Sequence, residues 1–516
     1  MNIAGTKPTA AIPTRLDTAD LTVVGGAGHV GVPLVLAFAE AGYRVNVHDL
    51  NRDALETLRS GRLPFIEYGG EELLVRALKR ERLVFTSSPA EISSTGPVIV
   101  TIGTPIDEFL NPVRKVVQDC IDALLPYLAD GQLLVLRSTV FPGTTDWLDA
   151  YLRRRNRNLK LAFCPERMVQ GHGIRELKET PQIISGTTPA AEEEASKLFS
   201  AIAPELIVVK PREAEFAKLF SNAYRYIEFA TSNQFYLIAK AAGLDYRRVY
   251  EAMKRNYPRA RSIPTPGFAA GPCLVKDTMQ LAAFAQNQFS LGNAAMLVNE
   301  GLVLHICDDL RRRYDLSRMT VGLLGMAFKA DIDDIRASLS YKFKKALASL
   351  CEAVVTTDPF VTTDPDLLPL EEVVKRSDLL ILCAPHSTYR ELDFAGKPVV
   401  DVWGLLTKAK VITSRQTSCN RWLWLCIPGP PQRSQACAGC VNLPAAPLND
   451  VGARAALCRS ARSSARTNAR LQTACPRADP PASPRPESAG TVRDWPPGRC
   501  RPNGAIPGRP PFASAR

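Results

Sequence analysis

Residues 21–51 read LTVVGGAGHVGVPLVLAFAEAGYRVNVHDLN. A β-prone run, Leu21 to Val24, leads directly into Gly26, Gly28 and Gly31, which form G-x-G-x-x-G with His29 and Val30 inside the turn. VPLVLAFAEAG follows as a helix that Gly42 should stop. A second strand, Tyr43 to Val47, then ends at Asp49, 18 residues past Gly31. Strand, glycine turn, helix, strand and acid in this order predict a dinucleotide site in a parallel α/β sheet. The first two glycines let backbone approach a pyrophosphate, and the helix N-terminus supplies N–H groups to it. Asp49 in the ribose position, despite nearby Arg52, favours NAD over NADP.

Outward from this unit, PVIVTIGTP (97–105) and QLLVLRSTV (132–140) are continuous apolar runs, as central parallel strands buried on both faces require. They end in Thr101 and Thr104, and in Ser138 and Thr139. At the carboxyl ends of strands these hydroxyls are expected to line cofactor and substrate, with local capping an equal alternative for Ser138. LKLAFCPERMVQGHG brings Glu166 to the same edge, and the apolar PQIISG (181–186) follows. Residues 19–210 are expected to form an NAD-binding Rossmann-like domain after a flexible leader, 1–18.

Residues 211–318 read as a central helical domain. Glu213 to Ala242 is one long helix with Glu215, Lys218 and Asn222 on one face beside Leu219 and Tyr226. A lysine and an asparagine one turn apart can hold an oxyanion or a water, and a solvated polar stripe is the competing reading. The next stretch, PGFAAGPCLVKD (266–277), places small residues before Cys273, with Lys276 and Asp277 within a turn after it. A thiol beside a lysine near a helix N-terminus should favour the reactive thiolate, whereas a lone structural cysteine would not. A further helix is expected over Thr278 to Arg313, apolar enough to pack partly against a second subunit. In residues 319–412, MTVGLLGMAFK repeats strand and glycine turn with Gly322 and Gly325, and strands recur at 351–359, 378–385 and 398–403. A smaller α/β domain is predicted. Lys329 and Arg336 flank its first turn, where cations suit a diphosphate. A salt bridge from Arg336 to Asp333 or Asp334 is an equally good reading, and Asp358, followed by Pro359, is expected in a turn.

Net charge does not point to nucleic acid. Of the total +12, residues 413–516 contribute +11, from fifteen Arg against four acids, so the body is near neutral. That tail also holds sixteen of the 40 prolines, no lysine and no hydrophobic period, which reads as disorder or a shifted reading frame. Its Cys437 and Cys440 lack a second pair at zinc-ligand spacing, and no metal site is expected. Six scattered cysteines in the body, no secretion signal and no membrane-length apolar run point to a soluble, cytoplasmic protein.

GAGHVGVPL, STVFPGT, CPERMVQG, EFAKLFSN, PGFAAGPCLVKD and GMAFKADIDDIRAS occur in order across residues 20–405. In these motifs the chain resembles the UDP-glucose/GDP-mannose dehydrogenase family of nucleotide-sugar 6-dehydrogenases. The resemblance implies two Rossmann-like domains joined by a helical one, a homodimer or higher oligomer, and NAD-dependent oxidation of a UDP-sugar C6 alcohol to the acid, usually for cell-surface polysaccharide. It implies Cys273 as nucleophile, Lys218 stabilising oxyanions, Asn222 and Asp277 holding water, and Thr139 and Glu166 as water-positioning or acid–base groups. Gly26, Gly28, His29, Val30, Gly31, Asp49, Thr104, Thr139 and Lys276 would face the cofactor. Glu166, Lys218, Asn222, Gly267, Lys329 and Arg336 would face the sugar nucleotide, Arg336 reaching substrate bound mainly by the neighbouring subunit. Gln170 departs from the pattern, standing where the family often has a second glutamate, so any base role there is in doubt. The common G-G-x-C form is Gly271-Pro272-Cys273 here, preceded by Ala270, which stiffens the loop. Pro165-Glu166-Arg167 resembles the branch acting on N-acetylated UDP-hexosamines more than the UDP-glucose branch. Two readings compete: a two-electron β-hydroxyacid dehydrogenase, which needs neither the cysteine nor the second nucleotide fold, and an inactive sugar-nucleotide binder.

Overall fold

The structure, a computed structural model, describes residues 19–92, 96–107 and 112–412. The expected leader and the proline-rich tail lie outside the described residues. Six parallel strands form the first sheet: β1 (Leu21–Val24), β2 (Val45–His48), β3 (Leu83–Thr86), β4 (Val98–Val100), β5 (Leu133–Leu136) and β6 (Lys160–Phe163). Their order is β3-β2-β1-β4-β5-β6, so the strand order reverses between β1 and β4. Ligands of open parallel sheets bind at such a switch point. Apart from Lys160, every residue of these strands is buried, which explains the unbroken apolar runs of β4 and β5. A small sheet pairs β7 (Gln182–Ile184) with β8 (Leu206–Val208).

The second large sheet is also parallel, in the order β10-β9-β11-β12-β13. Its strands are β9 (Thr320–Leu324), β10 (Ala353–Thr357), β11 (Leu379–Leu382), β12 (Pro398–Asp401) and β13 (Lys410–Val411). It repeats the first unit's plan. Gly325 turns with positive φ after β9 as Gly25 does after β1, and Asp358 follows β10 as Asp49 follows β2. The acids differ in their engagement. Asp358 is fully buried, accepts from the N–H groups of Met326, Ala327, Phe360 and Val361, and meets Nε2 of His386 at 3.0 Å. Asp358 therefore builds its turn.

Between the sheets, Pro211–Ala241 is a single 31-residue helix. The helix expected over 278–313 is two helices, Leu274–Phe284 and Ser290–Arg313. Gln286 and Asn287 break it with φ of 51° and 61°, a backbone state that ends helices. The intervening Gln-Asn-Gln sequence offers no apolar side chain to a continuing buried stripe.

Candidate active site

The glycine turn is built for an anion. The Gly31–Glu40 helix starts with neither a side-chain cap nor an acid in its first turn, so its positive end is open to an anion, although Val32 N–H is already bonded to the Gly28 carbonyl at 2.9 Å. Gly31 is compulsory, since a Cβ would sit 2.2 Å from the Gly25 carbonyl. A Cβ on Gly26 would lie 2.8 Å from the Val23 carbonyl. Gly28 has no such crowding, its nearest neighbour lying at 3.4 Å, so it faces the open side of the turn. Asp49 steadies the turn, its Oδ2 accepting from Ala27 N–H at 3.0 Å and its Oδ1 from Asn51 N–H at 2.9 Å. It stands where a ribose would lie, and the residues present fit NAD. Thr101 and Ser138, expected to line the ligands, instead donate to main-chain carbonyls, Thr101 to Val24 (2.8 Å) and Ser138 to Ile102 (2.5 Å). The hydroxyls brace the strand ends.

Cys273 sits at the N-cap of the Leu274–Phe284 helix, and its residue keeps open surface. The loop before it is held from several sides. Gly267 offers its N–H to Asn233 Oδ1 (2.7 Å) and its carbonyl to Asn233 Nδ2 (2.9 Å), while Asn299 Oδ1 accepts from the same Nδ2 (2.9 Å). Both asparagines are fully buried. With its polar groups engaged, Gly267 packs directly on the Trp403 ring, which a Cβ there would strike at 2.2 Å. Gly271 donates to the Ala337 carbonyl and packs on Phe328, so the Cys273 loop is seated against the second sheet's first turn.

Behind the thiol, the long helix presents Lys218 and Asn222. Lys218 Nζ bonds Glu166 Oε1 at 3.1 Å, and Asn222 Nδ2 donates to Asp277 Oδ2 at 2.5 Å. All four side chains are buried. Burial disfavours the Lys218 ammonium, but the charges of Glu166, then Asp277 and Cys273, hold it above the ordinary lysine range. Burial likewise pushes Glu166 up, and Lys218 together with Arg137 outweighs it and holds the carboxyl below its usual range. Arg137 is fully buried and donates to the Cys164 carbonyl and to Gln182 Oε1. Glu215, on the same helix face, instead accepts from Gly143 N–H and from the Thr145 N–H and hydroxyl, capping the helix Thr144–Arg154.

The expected thiolate is corrected by the structure. Surrounding protein withdraws the Cys273 sulfur from water, Asp277 and Glu166 add negative potential, and Lys218 and Lys276 do not compensate. The thiol is pushed up to about 11. Lys276 lies 3.3 Å from Asp277 Oδ1 and donates to the carbonyl and hydroxyl of Thr104 (3.1 and 3.3 Å), whose hydroxyl donates to the Thr139 carbonyl (2.6 Å). Lys276 thus ties the Cys273 helix to the strand ends of the first sheet.

At the facing turn, Lys329 donates to the Gln170 carbonyl at 3.0 Å, and Arg336 pairs with Asp334 at 2.6 Å. His29, beside Val30 in the glycine turn, packs on Phe65 with ring centroids 3.9 Å apart. Three residues that sequence reasoning left aside, Arg137, Asn233 and Asn299, hold this constellation in place together with Gln170. Asn233 alone carried a signal: it lies eleven residues, three helical turns, beyond Asn222 on the same face.

A glycine turn fitted to NAD, a thiol cleft and a second nucleotide-type turn define a nucleotide-sugar dehydrogenase that uses NAD. Residues 19–203 match the NAD binding domain of the UDP-glucose/GDP-mannose dehydrogenase family, 212–301 its central domain and 322–408 its UDP binding domain. The chain belongs to that family. It is 27% identical to an NDP-N-acetyl-D-galactosaminuronic acid dehydrogenase of Ralstonia nicotianae, over 77% of this chain and 98% of that one. It is 28% identical to a UDP-N-acetyl-D-mannosamine dehydrogenase of Pyrococcus horikoshii, over 72% and 90%. Among solved structures, a UDP-glucose dehydrogenase of Pyrobaculum islandicum superposes with a TM-score of 0.71 at 28% identity, covering 79% of this chain and 98% of its own. No helix among the described residues is long and apolar enough to cross a membrane.

Proposed function

We propose that the chain oxidises the C6 alcohol of a UDP-N-acetylhexosamine to the uronic acid in two NAD-dependent steps, through a covalent bond to Cys273. The observation that carries this is the convergence on one thiol of a buried Lys218–Glu166 ion pair and a buried Asn222–Asp277 pair. NAD, when bound, accepts a hydride from C6. Lys218 would stabilise the C6 alkoxide left when the hydroxyl proton passes to water, and hydride departure from that alkoxide gives the aldehyde. The Cys273 sulfur adds to the aldehyde carbon while the thiol proton passes to the carbonyl oxygen, giving a thiohemiacetal. Loss of a second hydride to a second NAD, and of the hydroxyl proton, leaves a thioester. Water held by Asn222 and Asp277, with Glu166 and Thr139 as acid–base or positioning groups, adds to it. The carbon–sulfur bond breaks and returns the thiol and the acid.

The N-acetylhexosamine preference is supported by Pro165-Glu166-Arg167 and by the names of the Ralstonia and Pyrococcus relatives. UDP-glucose is the second reading, favoured by the Pyrobaculum likeness. The deciding experiment is NADH release from a panel of UDP- and GDP-sugars, with Cys273→Ser as control. Two NADH per UDP-N-acetylhexosamine are expected, and a serine variant that binds NAD without turnover. One NADH per sugar would return the two-electron reading, and undiminished turnover by the serine variant would remove the thioester.

A cytoplasmic homodimer supplying polysaccharide precursors completes the proposal. Phe220, Tyr224 and Ile238 on the long helix, and Leu291, Leu297 and Leu304 on the Ser290–Arg313 helix, are exposed apolar residues on neighbouring elements. Such paired stripes suit isologous contact with a second copy. Light scattering after gel filtration should give twice the chain mass, and a monomer at micromolar concentration would refute the dimer.

A further inference from the structure

Gln170 occupies the loop after β6 and faces the first turn of the second sheet. Its side-chain Nε2 donates to Asp334 Oδ2 at 2.9 Å and lies 3.1 Å from Nδ1 of His29. Its main-chain carbonyl accepts from Lys329 at 3.0 Å. Asp334 in turn accepts from the Arg336 backbone N–H (2.9 Å) and from its guanidinium (2.6–3.0 Å). One residue of the first domain therefore holds both cations flanking the second turn, Lys329 directly and Arg336 through a shared carboxylate. The same Nε2 that donates to Asp334 also meets His29 of the glycine turn that receives the cofactor.

The chemistry demands an amide at this position. Asp334 is a buried acceptor. His29 is held neutral, burial and then Arg336 pushing it down to about 4, and its ring can present an unprotonated Nδ1. The two hydrogens of a carboxamide NH2 satisfy two such acceptors together. A glutamate carboxylate has no proton for either and would set a second negative charge beside Asp334. Other charged groups near this turn are Glu176, Arg225, Glu67 and Asp331, which act on Lys329, and Asp333, whose carboxylate accepts from Ile66 N–H.

We propose that Gln170 is a positioning residue that sets Lys329 and Arg336 for the diphosphate of the nucleotide sugar and links their placement to the cofactor's glycine turn. This rests on the nucleotide-sugar reading of the site. It turns the departure from glutamate into a requirement of this chain's own neighbours.

The test is UDP binding by calorimetry, with and without NAD, alongside steady-state kinetics on the full chain. Gln170→Glu should weaken UDP at least about tenfold and raise KM for the sugar nucleotide, while kcat stays within about threefold. NAD should no longer alter UDP affinity in that variant. Adding Asp334→Asn to Gln170→Glu restores one amide and one carboxylate to the pair and should recover most of the affinity. Gln170→Ala, which adds no charge, should weaken UDP by a smaller factor and serves if the glutamate variant fails to fold. A folded Gln170→Glu or Gln170→Ala enzyme that binds UDP as tightly as the parent overturns the proposal, even if its melting temperature has dropped. A parent that binds no UDP would instead overturn the functional reading beneath it.

Discussion

Asn222 and Asp277 lie 55 residues apart in the chain and 2.5 Å apart in space, one on the long helix and one on the Cys273 helix. The bond fixes the carboxylate one turn behind the thiol, where it raises the thiol's affinity for its proton. Removing that charge while keeping the shape should therefore ease thiolate formation. In the cofactor-free enzyme, alkylation of Cys273 by iodoacetamide should climb about tenfold per pH unit through the neutral and mildly alkaline range, towards a midpoint near 11. Asp277→Asn should move that midpoint down by about one unit, and Lys276→Met should move it up. A profile with its midpoint near 8 in the unaltered protein would contradict this placement.

The Lys218–Glu166 pair is buried on both sides, so deleting one partner strands the other. Lys218→Met should cost about 3–5 kcal/mol in urea unfolding. Turnover should fall at least about a hundredfold through loss of oxyanion stabilisation, while NAD affinity holds. Lys218→Met combined with Glu166→Gln should be more stable than Lys218→Met alone.

Asn233 reaches no reacting atom, yet it closes on both backbone groups of Gly267. Asn233→Ala should lose about 1–3 kcal/mol of stability and accelerate exchange of the Gly267 amide hydrogen. A loosened loop should also lower kcat by roughly tenfold to a hundredfold with little change in NAD affinity. Unchanged kcat and exchange in the folded variant would reduce the asparagine to a packing role.

His29 carries a signature in acid. In the folded protein it takes a proton only below about pH 4, against an ordinary value of 6.5. Between those values the unfolded chain binds more protons, so stability falls as pH drops through the window. The contribution at neutral pH is at most about 3 kcal/mol. His29→Asn, compared with the parent by urea denaturation, should lose less stability between pH 6.5 and 4; parallel losses would show that the ring is not held neutral.

Much of this architecture was legible from residues 21–51, because a glycine turn between apolar strands has few three-dimensional solutions. The long helix was equally plain from its composition and period. The break at Gln286 and Asn287 was not, since it depends on two residues adopting a backbone state that their side chains permit but do not demand. The thiol's acidity was misread for a different reason. Lys276 stands beside Cys273 in sequence, whereas Glu166 arrives from the loop after β6, more than a hundred residues away, and so does part of the protein packed around the sulfur. Gln170 looked like a defect when measured against a family pattern, and its meaning depended on His29 and Asp334, brought to it by two different sheets.

The crowded carboxylate of Asp358 has a kinetic corollary. With its oxygens committed to four backbone amides and His386, the second turn has nothing to offer an adenosine ribose. A four-electron oxidation on this scaffold would then have to route both coenzyme molecules through a single berth, one leaving before the next arrives. On the proposed mechanism the half-oxidised sugar needs a mooring during that changeover, and the Cys273 sulfur would provide it.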